Sequence, residues 1–197
     1  MIPDEDLFRA WQQHDAGALT ALVQRHHAPL LAHLTRLIGD VHLAEDLVQE
    51  TFLRLVREGH TYRYPSPFLP WLYTIARHLA HNYWRSAYAR RVETRRDWPE
   101  VVEQASGPVE WLVEWEQRQD MQSALATLTF EQREVLSLRF GQEFSVEATA
   151  HVLGLPSGTV KSRTFTALRR LRAALTDTQS ASDSERRGHS HEERSLF

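Results

Sequence analysis

The sequence predicts an all-α protein built as two small helical domains joined by a flexible linker. Three observations predict it. Apolar residues recur at three- and four-residue spacing through most of the chain, the period of helices with one buried face. Glycine and proline are sparse, eight each in 197 residues, which disfavours a turn-rich β architecture. The period then fails over residues 92–107, where Trp98-Pro99 and Gln104-Ala105-Ser106-Gly107 mark an exposed connection. The expected units are a first domain at 1–95, a linker at 96–107, a second domain at 108–176 and a disordered polar tail at 177–197.

Composition narrows the classes further. There is no cysteine, which excludes a disulfide framework and a thiolate metal site. The N-terminus, MIPDEDLFRA, is acidic and lacks the apolar run of a signal peptide. No stretch is long and apolar enough to span a membrane, so a cytoplasmic protein is expected.

Taken in order, Leu7, Ala10 and Trp11 begin the first helix, and Asp15-Ala16-Gly17 breaks it from the second. Leu19, Leu22, Val23, His26, Leu30, Leu34 and Leu37 form the next stripe, which Pro29 is expected to bend or interrupt. His26, His27 and His33 lie here, but adjacent histidines point to different helix faces, so no metal site is expected. Asp40 is the candidate cap of a third helix, His42 to Glu58. Its apolar residues cover more than half the circumference, as in the central helix of a bundle. The remaining strip holds Asp46, Gln49, Glu50, Leu53 and Arg57. It is either a partner-binding face or a solvated one with an internal ion pair worth about a few tenths of a kcal/mol.

Thr61 to Pro70 reads TYRYPSPFLP, and its three prolines exclude a regular helix. Its aromatics beside Arg63 either stack on unpaired bases or fold back on the core. From Trp71 to about Arg91 the stripe Leu72, Ile75, Ala76, Leu79, Ala80 and Tyr83 is clean. Across from it lie Arg77, His81, Arg85 and Tyr88, with Asn82 and Trp84 on the flanks. His78 and His81 stand one turn apart without an obvious third ligand, so a DNA-facing or solvated role is preferred over metal. Pro108 suits the first turn of another helix, continued by Val109, Leu112, Val113, Met121, Leu125 and Leu128.

Val146 to Leu175 splits into a short helix, a tight connection at Gly154-Leu155-Pro156, and a longer helix. Ser145 is the expected cap of the first, Gly154 its left-handed stop, and Pro156-Ser157 the start of the second. In the second, Val160, Ala167, Leu168, Leu171 and Leu175 form an apolar stripe. Lys161, Arg163, Arg169, Arg170 and Arg172 are basic, and Leu155 to Leu175 contains no acidic residue. A helix pair with a basic, hydroxyl-rich second helix suits a major groove. Thr159, Ser162 and Thr164 suit phosphates or base edges, with Lys161 and Arg163 the readers nearest the helix start. A basic solvated face is the plain alternative. The net charge of −3 argues against general DNA affinity, but charge is segregated: six arginines against two acids over 71–98, then eight acids against two arginines over 99–134.

Four stretches add a resemblance. GTVKSR followed by ALRRLR resembles the promoter-recognition helix of sigma factors, and LTFEQREVLSLRF resembles the helix that introduces it. HLAEDLVQETFLRLVRE is similar to the sigma-factor helix that docks on the clamp helices of the large RNA polymerase subunit. WLYTIARHLAHNYWR resembles the helix for the downstream promoter element. One position departs: Thr149 stands where the family usually carries a bulky aliphatic, and a bond back to the previous turn would accommodate it.

On these strings the chain is identified as a member of the sigma-70 family, extracytoplasmic-function class. The resemblance implies sigma region 2 in the first domain and the region 4 helix-turn-helix in the second, with no room for an extra middle domain. It implies polymerase docking through Asp46, Gln49, Glu50 and Leu53. It implies contact with the downstream element through Tyr62, Arg63, Arg77, His81, Asn82, Trp84 and Arg85, Tyr62 and Arg63 lying in the loop that takes a flipped base. The upstream element falls to Ser157, Thr159, Lys161, Ser162, Arg163, Phe165 and Arg169. The implied partners are core RNA polymerase, at its beta-prime clamp helices and beta flap, promoter DNA and an anti-sigma factor. No catalytic residue, cofactor, metal or small-molecule substrate is expected.

Two rivals remain open at this point. A helix-turn-helix regulator that never joins polymerase accounts for the last motif but not for the two strings before the linker. A metal-dependent hydrolase would draw on the eleven histidines but lacks a paired motif such as H-E-x-x-H.

Overall fold

A computed structural model describes residues 2–64, 66–94, 121 and 123–192, with side chains at 87–94 and 177–192 outside the description. The expected linker at 96–107, and Pro108 to Trp115 after it, lie outside the described residues. Among those described there is no strand.

Four helices form the first unit: α1 Asp4–Gln12, α2 Ala16–Ile38, α3 Val41–Glu58 and α4 Phe68–Thr94. Short polar side chains set their starts. Asp15 Oδ1 accepts from the Gly17 and Ala18 amides, and Asp40 Oδ1 accepts from His42 and Leu43. Each such cap is worth about 1 kcal/mol. Glu5 Oε1 accepts from the Phe68 amide at 2.9 Å, tying α1 to the start of α4. Pro29 lies inside α2, which runs through it to Ile38. The expected interruption does not occur: Leu22, Leu30, Leu34 and Leu37, all fully buried, hold one face of the helix across that position. Burial of four such side chains contributes about 1.5–3 kcal/mol each, against a proline cost of about 3 kcal/mol.

The second unit comprises α5 Phe130–Leu136, a π-helical turn Ser137–Gly141, α6 Val146–Leu153 and α7 Ser157–Glu192. Thr129 and Gln132 make a reciprocal capping box at the start of α5. Ser145 caps α6 by accepting from the Ala148 amide, and Gly154 ends it at φ 62°, a left-handed conformation that disfavours side chains with a Cβ. The helix-turn-helix therefore forms where the sequence places it. Past residue 176 the chain differs from expectation, because α7 continues to Glu192. Its tail residues are polar but, one glycine apart, contain no strong helix breaker.

The two units share one core. Leu34, Leu37, Tyr73, Ile75 and Leu79 of the first pack in a single cluster with Leu128, Phe130, Leu138, Phe144 and Val152 of the second. A separate cluster of Leu7, Phe8, Leu22, Leu55, Tyr62, Phe68 and Leu72 fixes the far end of the first unit.

Candidate nucleic-acid and partner interfaces

The strip on α3 is exposed as its spacing predicts. Ala44, Leu47, Val48, Thr51 and Leu55 face the core. Asp46 and Gln49 are open to solvent, Leu53 is half exposed, and Glu50 is partly covered. Arg54 Nε lies 3.1 Å from Glu50 Oε1, and Arg57 Nη1 3.8 Å from it. Glu50 thus carries internal counter-ions, while the Asp46 carboxylate has no ion pair among the described residues. Val56 is also exposed, at 46%. An exposed apolar pair, Leu53 and Val56, beside carboxylates suits a protein partner with apolar and basic groups. Sequence reasoning missed Val56 because the helical period counted it with the core.

The loop after α3 divides its aromatics. Tyr62 is buried, 4% exposed, with its ring edge-on to Phe8 at 4.9 Å and to Trp71 at 5.4 Å. Its hydroxyl donates to the Ser66 carbonyl. Burial, then Glu5 and Tyr64, push its phenol up to about 12, so it stays a neutral donor. The expectation of a base-stacking Tyr62 is corrected here: three neighbouring rings, Phe8, Phe68 and Trp71, outcompete an exposed position. Tyr64 is the exposed ring, 48% open, with the Arg9 guanidinium 5.0 Å from its centroid. Arg63 is exposed and donates to the His60 carbonyl at 2.8 Å. Gly59 has no room for a Cβ, which would sit 2.4 Å from the Trp11 ring.

On α4 the residues expected to meet DNA divide again. Asn82 and Arg85 are exposed. Arg77, His81 and Trp84 are partly buried against α5. Arg77 Nε lies 2.9 Å from Glu134 Oε1, although neither atom has an aligned hydrogen bond. Phe130 packs 5.4 Å from the Trp84 ring at 30° and 6.1 Å from His81. Burial pushes the Glu134 carboxyl up to about 7, because its desolvation outweighs the pull of Arg77 and Arg163.

On α7, Lys161, Ser162, Phe165 and Arg169 are exposed, Phe165 at 68%. Ser157, Thr159 and Arg163 are partly covered. Ser162 Oγ donates back to the Thr159 carbonyl, and Arg170 reaches Gln132 Oε1 at 3.3 Å. Thr149 in α6 is fully buried, yet its hydroxyl has no partner. The expected bond back to the previous turn is absent.

Histidines serve packing more than chemistry. His26 Nε2 lies 2.9 Å from Asp4 Oδ2, and His33 Nδ1 2.8 Å from Ser137 Oγ. Among the described residues no three acidic or histidine side chains converge as a metal site, and no helix is long and apolar enough to cross a membrane.

A helix-turn-helix with a basic second helix, joined to a bundle bearing an exposed strip and aromatic-cation surfaces, has the layout of a DNA-binding transcription protein. Comparison with known proteins makes this specific. The model for Sigma-70 region 2 matches residues 22–90, and that for Sigma-70, region 4 matches 124–173. The ECF RNA polymerase sigma factor SigX of Bacillus subtilis is 32% identical over 155 residues, 77% of this chain and 80% of that protein. SigL of Mycobacterium tuberculosis is 37% identical over 165 residues, covering 82% and 90%. The sigma factor RpoE of Bartonella quintana, solved with the anti-sigma factor NepR, superposes with a TM-score of 0.65 at 27% identity, over 79% of this chain and 97% of that one. The chain belongs to the sigma-70 family and is an extracytoplasmic-function RNA polymerase sigma factor. The regulator that never joins polymerase is not favoured.

Proposed function

We propose that this sigma factor docks on core RNA polymerase through the α3 strip and reads its promoter with α4 and α7. The single observation that carries this is the strip itself: Asp46, Gln49, Glu50 and Leu53 share one open face of a helix whose other face is buried in the bundle. A regulator acting without polymerase has no need of that face. The docking surface on polymerase would be the beta-prime clamp helices, with the beta flap meeting the second domain. Region 2 would occupy residues 1–95 and region 4 residues 108–176.

Lys161, Ser162 and Phe165 are the upstream readers, entering the major groove from the start of α7, with Arg163 and Arg169 supporting them. Ser157 and Thr159, at the helix N-terminus, suit phosphate contacts. Downstream, Arg77, His81, Asn82, Trp84 and Arg85 line one side of α4. The flipped base falls to Tyr64 and Arg63, with Tyr62 holding the loop from below. Aromatic stacking of a flipped base offsets an unstacking cost of roughly a few kcal/mol. The protein then works without catalytic residues of its own, in the cytoplasm, where polymerase is. Relatives solved with anti-sigma factors support an anti-sigma partner here too.

The test is a pull-down of core polymerase by the full chain and by an Asp46→Ala/Glu50→Ala variant. Lower affinity in the variant, with unchanged thermal stability, supports the docking strip. Unchanged affinity removes it.

A further inference from the structure

One face of α1 grips the connection between α3 and α4. Glu5, Phe8, Arg9 and Gln12 recur at three- and four-residue spacing and so share that face. Gln12 Nε2 donates to the Gly59 carbonyl at 2.8 Å, where the connection begins. Glu5 Oε1 accepts from the Phe68 amide at 2.9 Å, where it ends. Between them the fully buried Phe8 ring lies 4.9 Å from Tyr62. Those three side chains hold backbone or a buried ring. The fourth meets the surface: Arg9, itself exposed, lays its guanidinium over the Tyr64 ring, 5.0 Å from the centroid, and that residue is 48% open.

We infer that Arg9 is a positioning residue for the unpaired promoter base: its guanidinium covers one face of Tyr64 and holds the ring so that the base stacks on the face left open. Helix α1, which has no part in the docking and promoter-reading assignments above, thereby belongs to the strand-opening site. This rests on the reading of Tyr64 as the ring that takes the base.

Three features argue for a role in positioning rather than in folding. Tyr62 is wedged among Phe8, Phe68 and Trp71, whereas among the described residues Tyr64 packs on no other ring, so Arg9 is what restrains it. Arg9 forms no ion pair among the described residues, and an exposed cation–π contact adds little to stability. Helix α1 is nonetheless a rigid base for it: Leu7 and Phe8 are buried, and Asp4 pairs with Arg25 of α2. Ordering a long side chain costs entropy, and here that cost orients the one open ring of the connection. A ring already held in place stacks on an extruded base without a further ordering cost.

The test is the rate of strand opening by holoenzyme reconstituted from the full chain and core polymerase, read by permanganate reactivity on a promoter recovered by run-off transcription. Arg9→Ala should slow opening by about twofold to fivefold, the factor equivalent to an exposed cation–π contact, with melting temperature and polymerase affinity unchanged. Arg9→Lys keeps a cation over the ring and should recover most of the rate. In a Tyr64→Ala background Arg9→Ala should add nothing, because a positioning residue acts only through the ring it holds. An Arg9→Ala chain that opens promoter as fast as the parent overturns the inference. So do effects of Arg9→Ala and Tyr64→Ala that multiply, since Arg9 then acts independently of the ring. A lower melting temperature in Arg9→Ala that Arg9→Lys does not restore makes the contact structural and also overturns it. The Tyr64→Ala chain separates the two claims. If it opens promoter at the parent rate, the reading of Tyr64 falls and takes the inference with it; if it is slow while Arg9→Ala is not, the reading of Tyr64 stands and only the role of Arg9 falls.

Discussion

Thr149 has a fully buried hydroxyl with no partner. A buried polar group without a bond costs about 1–3 kcal/mol. Thr149→Val keeps the branched shape and removes that cost, so it should raise the thermal stability of the chain by about 1 kcal/mol; a lower melting temperature would mean the hydroxyl is bonded after all. Arg163→Ala should weaken promoter-specific initiation while sparing polymerase binding, checked by transcription and pull-down side by side. Equal loss of both would count against a DNA role. Residue identity was legible where one side chain answers to its immediate neighbours in sequence. Asp40, Ser145 and Gly154 take the capping and stop positions expected of them, and Asp15, read only as part of a break, caps α2. Glu134 was not legible, because its partners Arg77 and Arg163 lie far from it in sequence.

At the scale of elements, α3, α4 and the helix-turn-helix follow from their apolar period, and the exposed strip of α3 follows from the residues that break that period. The loop at Thr61 to Pro70 shows where the period stops helping. Proline content argued against a helix over the stretch, yet α4 begins at Phe68 and holds Pro70 in its first turn; which ring would be buried depended on Phe8, Phe68 and Trp71 meeting there. The outcome separates two tyrosines. Tyr64→Ala should slow strand opening, read by permanganate reactivity of the downstream element, with little change in folding. Tyr62→Ala opens a cavity in an aromatic cluster and should destabilise the first domain by about 3 kcal/mol or more. A larger folding defect for Tyr64→Ala than for Tyr62→Ala would reverse these roles. At Pro29 the alternatives were a bend or a turn; no turn forms, because four buried leucines hold α2 together across it.

The whole molecule adds what no single element shows, namely that the two domains share a core. Two buried ionisable groups at that junction respond oppositely to pH. Burial, then Arg36, lowers His33 to about 3; its ring faces Ser137 and Tyr73. A folded value below the ordinary 6.5 means its contribution is fully present above pH 6.5 and is lost as pH falls toward 3, by about 1.4 kcal/mol per pH unit. Glu134 runs the other way. With its folded value raised to about 7 from 4.5, and Arg77, Arg163 and Glu131 acting on it, folding weakens as pH rises through that window. Between pH 5 and 6.5 the two slopes oppose. Glu134→Gln should therefore steepen the loss of stability on acidification, and His33→Asn should reduce it, by urea titration at each pH. The same slope in both variants would mean that neither group titrates across folding.

The most direct measurement is run-off transcription on fragmented genomic DNA of the source organism, with core polymerase alone and with this protein added. A sigma factor gives new, discrete transcripts that appear only with the protein and share two spaced upstream motifs. No new transcripts, together with no binding to core polymerase in a parallel pull-down, would contradict it.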